Sequence, residues 1–238
     1  MTPSASIQSP STTSRVRWSL SICLLLLLTT AEAFAHGVSP GDQALITGGR
    51  QLAVFIYLGA KHMVTGYDHL LFLFGVIFFL YRLKDVGGYV TLFALGHSVT
   101  LLYGVLGRVT VDAYLIDAII GFSVVYKGLD NIGAFERLLG AQPNTKAAVL
   151  VFGFFHGLGL ATKLQDFAVT RDGLVPNLIA FNVGVEFGQI LALSAILIAM
   201  GFWRRSPRFH HHAHGANVVL MTCGLILVGY QLTGYFVQ

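Results

Sequence analysis

Charge is scarce in this chain. Only 11% of its 238 residues are Asp, Glu, Lys or Arg, where a soluble domain carries about a quarter. A fold with a water-facing charged shell is therefore excluded. The net charge of +4 is scattered, with no basic stripe of the kind that binds nucleic acid. Cysteine is nearly absent too. Cys23 and Cys223 have no partners at metal-site spacing, which removes both a disulfide framework and a thiolate metal site. There is no Met-rich or Cys-rich tract, so the soft-ligand signature of Cu(I) is missing. No nucleotide-binding loop is present, so this chain supplies no ATP drive. No internal repeat supports an inverted-repeat transporter. Ser98 follows His97, but adjacency alone makes no nucleophile–base pair, and no enzyme is expected.

What the chain does have is apolar residues, 55% of the total, arranged in long blocks. The first is a processing signal. Arg15 and Arg17 precede WSLSICLLLLLTT, a core too short to span comfortably, and AEAFA places Ala33 and Ala35 at cleavage spacing. Residues 1–35 are thus expected to be a signal peptide, with His36 as first residue after cleavage at Ala35; cleavage after Ala33 is the other option. Residues 36–50 form a short extracytoplasmic segment and 51–238 a helical membrane domain. Six blocks follow, near 64–81, 88–107, 111–133, 146–165, 177–201 and 217–237. The stretch 51–63 is either the first half of a long first span or a short interfacial helix. The fold expected is an all-α polytopic transmembrane bundle of six spans, or seven. Lysine and arginine place Arg82/Lys84, Arg137/Lys146 and Arg204/Arg205/Arg208 in inner loops, and Arg50, Arg108, Lys163 and Arg171 in outer ones. The expected location is the inner membrane of a bacterium, with both termini of the mature chain outside.

Charge inside a span costs at least about 2.5–3.5 kcal/mol per group, so the polar residues within the blocks carry the information. HMVTGYDH places His62, Thr65, Gly66 and His69 at i, i+3, i+4 and i+7, one helix face, with Asp68 a step round. Interfacial histidines are the bland alternative, and the pairing with Asp68 favours function. His97 shares a face with Thr100 and Gly104 in the second block. Asp117 lies deep in the third, where Ser123, Lys127 and Asn131 form a stripe; Lys127 and Asp130 read as an end anchor. Gly153 and Gly157 flank His156, letting another helix approach it. Asn182, Glu186 and Gln189 line one stripe of the fifth block. The four histidines of FHHHAHG (209–215) read as a polar loop, with metal capture as the functional alternative. His62, Asp68, His69, His97, Asp117, His156, Asn182, Glu186 and Gln189 form the candidate site. Imidazole nitrogen and carboxylate oxygen without thiolate suit a borderline divalent cation. The polar faces of the first, second, fourth and fifth spans are expected to converge on it, with Asp117 orienting His97 or His156.

The stretches HMVTGYDHLLFL, LFALGHSVTL, IDAIIGFSVVY, FGFFHGLGLA and FNVGVEFGQ resemble the HupE/UreJ family of hydrogenase- and urease-associated membrane proteins, in the family's order over residues 59–190. HMVTGYDH with LGHS is also similar to the signature of the nickel/cobalt transporter family, with one extra residue before Asp-His. The resemblance implies a six- or seven-span permease for nickel, or cobalt, with His62, Asp68, His69, His97, His156 and Glu186 on the ion path. Asp117 departs from the family's more usual Glu, and the HHHAH stretch is a second departure. On this reading the metal is cargo and no prosthetic group is expected. Transport would be secondary, driven by membrane potential or a proton gradient, and the partners are the bilayer, the ion and a metallochaperone or metalloenzyme-maturation protein. Two other readings stand beside it: a haem protein with His97 and His156 as axial ligands, and a copper-handling accessory protein using His36.

Overall fold

In the computed structural model, residues 40–165 and 173–237 are described, and all secondary structure among them is helical. The signal peptide, Cys23, His36 and Arg171 lie outside the described residues. The elements are α1 (Pro40–Gln43), α2 (Leu52–Thr65), α3 (Tyr67–Ile77), α4 (Leu83–Gly107), α5 (Ala113–Asn131), α6 (Ala134–Leu139), α7 (Thr145–Gln165), α8 (Leu174–Arg204) and α9 (Phe209–Val237). Among the described residues, four segments are long and apolar enough to cross a membrane: Lys84–Gly107, Thr145–Gln165, Leu174–Arg204 and Phe209–Val237. This is a multi-pass membrane protein. Helix α5 has 19 residues but carries Asp117, Lys127 and Asp130. Helices α2 and α3 are shorter apolar helices.

The first predicted span is not one continuous helix. It breaks at Gly66, whose backbone is extended at φ −73° and ψ 108°. The Gly66 amide still closes α2 on the His62 carbonyl at 3.0 Å, and the Gly66 carbonyl opens α3 by accepting from the Leu70 amide at 3.1 Å. A broken helix at membrane depth is tolerated where it is buried in protein or lines a cavity. Here the break lets Asp68 and His69 begin a new helix instead of continuing the face of His62.

Helices pair most extensively as α4 with α7, α2 with α8, and α5 with α9. Small residues set those approaches, as expected where lipid is as apolar as the interface. A Cβ at Gly188 would lie 2.6 Å from the Ala60 carbonyl oxygen, and one at Gly153 would lie 2.5 Å from that of Phe93. The matched positions rise together along α2/α8 and α4/α7, so these pairs are parallel; Gly128 meets Met221 while Gly121 meets Val228, so α5 and α9 are antiparallel.

Polar groups tie the ends. The Asn177 side chain accepts from the Gln51 amide at 2.8 Å and donates to the Gly49 carbonyl at 2.8 Å, joining the starts of α2 and α8. At the other end of α8, Arg204 donates to the carbonyls of Ile77 and Phe78 at the C-terminal end of α3, where the helix dipole favours a cation. Asp112 caps α5 by accepting from the Leu115 amide at 3.0 Å.

Candidate metal site

The break at Gly66 positions the centre of the site. Asp68 and His69, in the first turn of α3, are each 2% exposed, and His156 of α7 is 3% exposed. One ligand atom from each of these three lies within 4.8 Å of the others. His69 Nδ1 is 3.0 Å from Asp68 Oδ1, and His156 Nε2 is 3.4 Å from Asp68 Oδ2. The His69 ring lies 4.7 Å from that of His156 and 4.8 Å from that of half-buried His62.

The Phe152 carbonyl, 3.1 Å from His156 Nδ1, can only accept, so Nδ1 carries a hydrogen. That bond turns His156 Nε2 towards Asp68 Oδ2, 3.4 Å away. Either a proton or a metal cation between those two atoms satisfies both. The Asp68 carboxylate likewise lies against His69 Nδ1 and fixes the orientation of that ring. Atoms sharing one ion at about 2.0–2.2 Å stand roughly 3–3.5 Å apart, close to the Asp68–His156 spacing.

Glycine and aromatic residues shape the surroundings. A Cβ at Gly66 would lie 2.5 Å from His69 Nδ1, so only glycine lets the chain fold back so near the imidazole. Gly157 lies against the His97 carbonyl, and Thr100 donates across to the Phe154 carbonyl at 2.7 Å; together they draw α7 and His156 onto α4. On the side leading to the end of α3, Phe72, Phe93 and Phe152 close over the cluster. Phe93 lies 4.8 Å from the His156 ring and Phe72 lies 5.5 Å from Phe93 and 6.1 Å from Phe152, ring centre to ring centre.

The remaining sequence candidates divide. His97 is 1% exposed and stacks on Phe93 at 6.3 Å. It is beside the cluster without belonging to its ligand set, and its Nε2 makes no hydrogen bond of normal geometry. Because Phe93 touches both His97 and His156, the haem reading gains no support. Asn182 is half-buried and accepts from the Ser98 hydroxyl at 3.2 Å. Gln189 is 1% exposed. Glu186 is not brought in: it is exposed on α8 beside exposed Val183, Phe187 and Ile190. The convergence expected of the fifth span therefore fails at its carboxylate.

Asp117 also departs from expectation. It pairs with Lys163 of α7 at 2.6 Å, a partner the sequence reading does not assign to it. Lys163 belongs to the last turn of α7, not to an outer loop. Lys127 and Asp130, read as an end anchor, are 7% and 8% exposed and form a buried pair at 2.5 Å. Gln142 and Thr145 also bond the Asp130 carboxylate. The signal for both pairs was present as charge within an apolar block; Lys127 and Asp130 are three residues apart on one helix, whereas Asp117 and Lys163 could not be matched from spacing. Along α7, Thr145, His156 and Lys163 put the candidate metal site between these two ion pairs.

The family model described as HupE / UreJ protein matches residues 42–238. No curated protein and no solved structure gives a match.

Proposed function

The chain belongs to the HupE/UreJ family, and on that premise we propose that it is a permease for a divalent transition-metal cation, nickel or cobalt, bound in transit by Asp68, His69 and His156. The observation that carries the reading is the buried group of one carboxylate and two imidazoles, Asp68, His69 and His156, with a ligand atom of each within 4.8 Å of the others. Imidazole with carboxylate selects a borderline divalent ion over Mg²⁺ or Ca²⁺, which take oxygen. The carboxylate offsets the charge of a dehydrated ion, and the histidines replace part of its water shell. His62, half-buried and next to His69, is the entry ligand.

Six crossings agree with the helix directions. With α2 and α3 as one broken span entering from outside, α2 and α8 run inward together, α4 and α7 run outward together, and α5 and α9 run oppositely. That is the pattern of parallel and antiparallel pairs set by the glycine contacts. On this topology Asp117–Lys163 lies towards the outer end and Lys127–Asp130 towards the cytoplasmic end. The aromatic wall of Phe72, Phe93 and Phe152 and the Lys127–Asp130 pair must then part for an ion to pass inward. An inward-negative membrane potential supplies about 2.3 kcal/mol per charge per 100 mV.

The test is accumulation of nickel, cobalt, zinc, copper and iron in cells with and without the gene. The reading expects gene-dependent nickel or cobalt uptake that His69→Ala removes at equal membrane level. Uptake unchanged by His69→Ala would overturn it.

A further inference from the structure

The histidines of FHHHAHG are not in a loop. Helix α9 begins at Phe209 and runs unbroken to Val237. Phe209 and Ala213 are buried anchors at 2% and 5% exposure, and buried Asn217 donates to the Ala213 carbonyl at 2.9 Å. Those anchors fix the helix's rotation. His210, His211, His212 and His214 are all exposed, but they are not equivalent. His210 and His214 are four apart and His211 and His214 three apart, which brings each pair onto a shared face with Cβ atoms about 5–6 Å apart. His212 lies further round the helix from His210 and His214, with its ring 5.5 Å from that of His211. Its neighbours at three and four residues are Phe209, Gly215, Arg208 and Ala216, none a good metal ligand.

We infer that His210, His211 and His214 form a second, surface site for a divalent transition-metal ion, separate from the Asp68–His69–His156 cluster. Two imidazoles one helical turn apart chelate an ion in the way the paired histidines of helical zinc motifs do. The electrostatics narrow the class of ion. The site sits at the positive end of the α9 dipole and close in sequence to Arg204, Arg205 and Arg208, with no carboxylate on the turn. Charge repulsion therefore opposes binding, and only direct nitrogen coordination favours it. That selects Ni²⁺, Cu²⁺ or Zn²⁺ and rejects Mg²⁺ and Ca²⁺. The start of α9 lies at the same end of the bundle as the Lys127–Asp130 pair, since Asn217 bonds Asn131 at 2.9 Å and Asn131 bonds the Gly75 carbonyl at 2.9 Å. Resting on the transport reading, the site is a hand-off station for ions at the cytoplasmic mouth.

His214 is the member shared by both pairs, which makes the test sharp. Nickel(II) binding is measured by equilibrium dialysis on the full chain in detergent, in an Asp68→Asn/His69→Ala background that removes the intramembrane cluster. Saturable nickel binding should remain there. His214→Ala should weaken it about a hundredfold, the gain expected from joining two weak ligands, while His212→Ala leaves it unchanged and excess magnesium does not displace it. If the double background is poorly folded, the same comparison is made in the otherwise native chain, where His214→Ala should remove one bound nickel and His212→Ala none. Absence of saturable binding outside the cluster, or equal losses in His212→Ala and His214→Ala, would overturn the surface site. Neither result touches the intramembrane one.

Discussion

Two groups of histidines lie in very different parts of this molecule. His69 and His156 are buried with Asp68, held by a helix break, a pair of glycine contacts and an aromatic wall. His210, His211 and His214 are exposed, held only by the phase of one helix. The buried group has a carboxylate to offset an ion's charge; the surface group has arginines nearby and none. Depth therefore changes what the same imidazole is able to do. On the transport reading, no water replaces a lost ligand in the interior, so each one should be required. At the surface solvent and buffer would fill a vacancy, and loss of a ligand should alter capture more than passage.

The comparison breaks most readily in uptake. His69→Ala and Asp68→Asn should abolish nickel uptake, whereas joint alanine replacement of His210, His211, His212 and His214 should only weaken it. Uptake at matched membrane level, checked by blot, decides this; equal losses in the two groups would erase the distinction. Gly66→Ala comes next. It adds a Cβ 2.5 Å from His69 Nδ1, displacing a ligand without deleting one, and should lower nickel affinity about 10–100-fold, read by equilibrium dialysis. Lys163→Met is directed at the outer ion pair. It removes the partner 2.6 Å from Asp117 and should cost about 3–5 kcal/mol of stability, seen as a lower Tm in detergent, while nickel still binds to folded protein. The smallest effect belongs to Glu186→Gln. Because Glu186 lies on an exposed face of α8, nickel affinity of the purified chain should not move; a loss comparable to that of His69→Ala would put this carboxylate back on the path.

The sequence made the helical class and the family legible, and it singled out HMVTGYDH, because charge inside apolar blocks is costly and therefore informative. His69, His97 and His156 are buried as that cost predicts. The break at Gly66 was not legible. An isolated glycine in an apolar run is tolerated within membrane helices, and the packing around His69 decides here that the chain bends. Glu186 shows a different limit. Asn182, Glu186 and Gln189 do share a stripe, but periodicity gives relative angles and not the direction of the core. The boundary of the buried face runs through the stripe, leaving Gln189 buried and Glu186 exposed. Asp117 and Lys163 lie 46 residues apart, a pairing that no local pattern encodes. The α9 histidines looked like a loop because they are polar; the helix forms because Phe209 and Ala213 bury themselves one turn apart.

The central claim is that Asp68, His69 and His156 hold the transported ion. Nickel K-edge X-ray absorption addresses it most directly, on the full chain with His210, His211, His212 and His214 replaced by alanine and loaded with one equivalent of nickel. The account predicts imidazole scattering from His69 and His156 together with carboxylate oxygen and no sulfur, and its loss in His69→Ala. Nickel surrounded only by water oxygen, or an imidazole signal that survives His69→Ala unchanged, would contradict it.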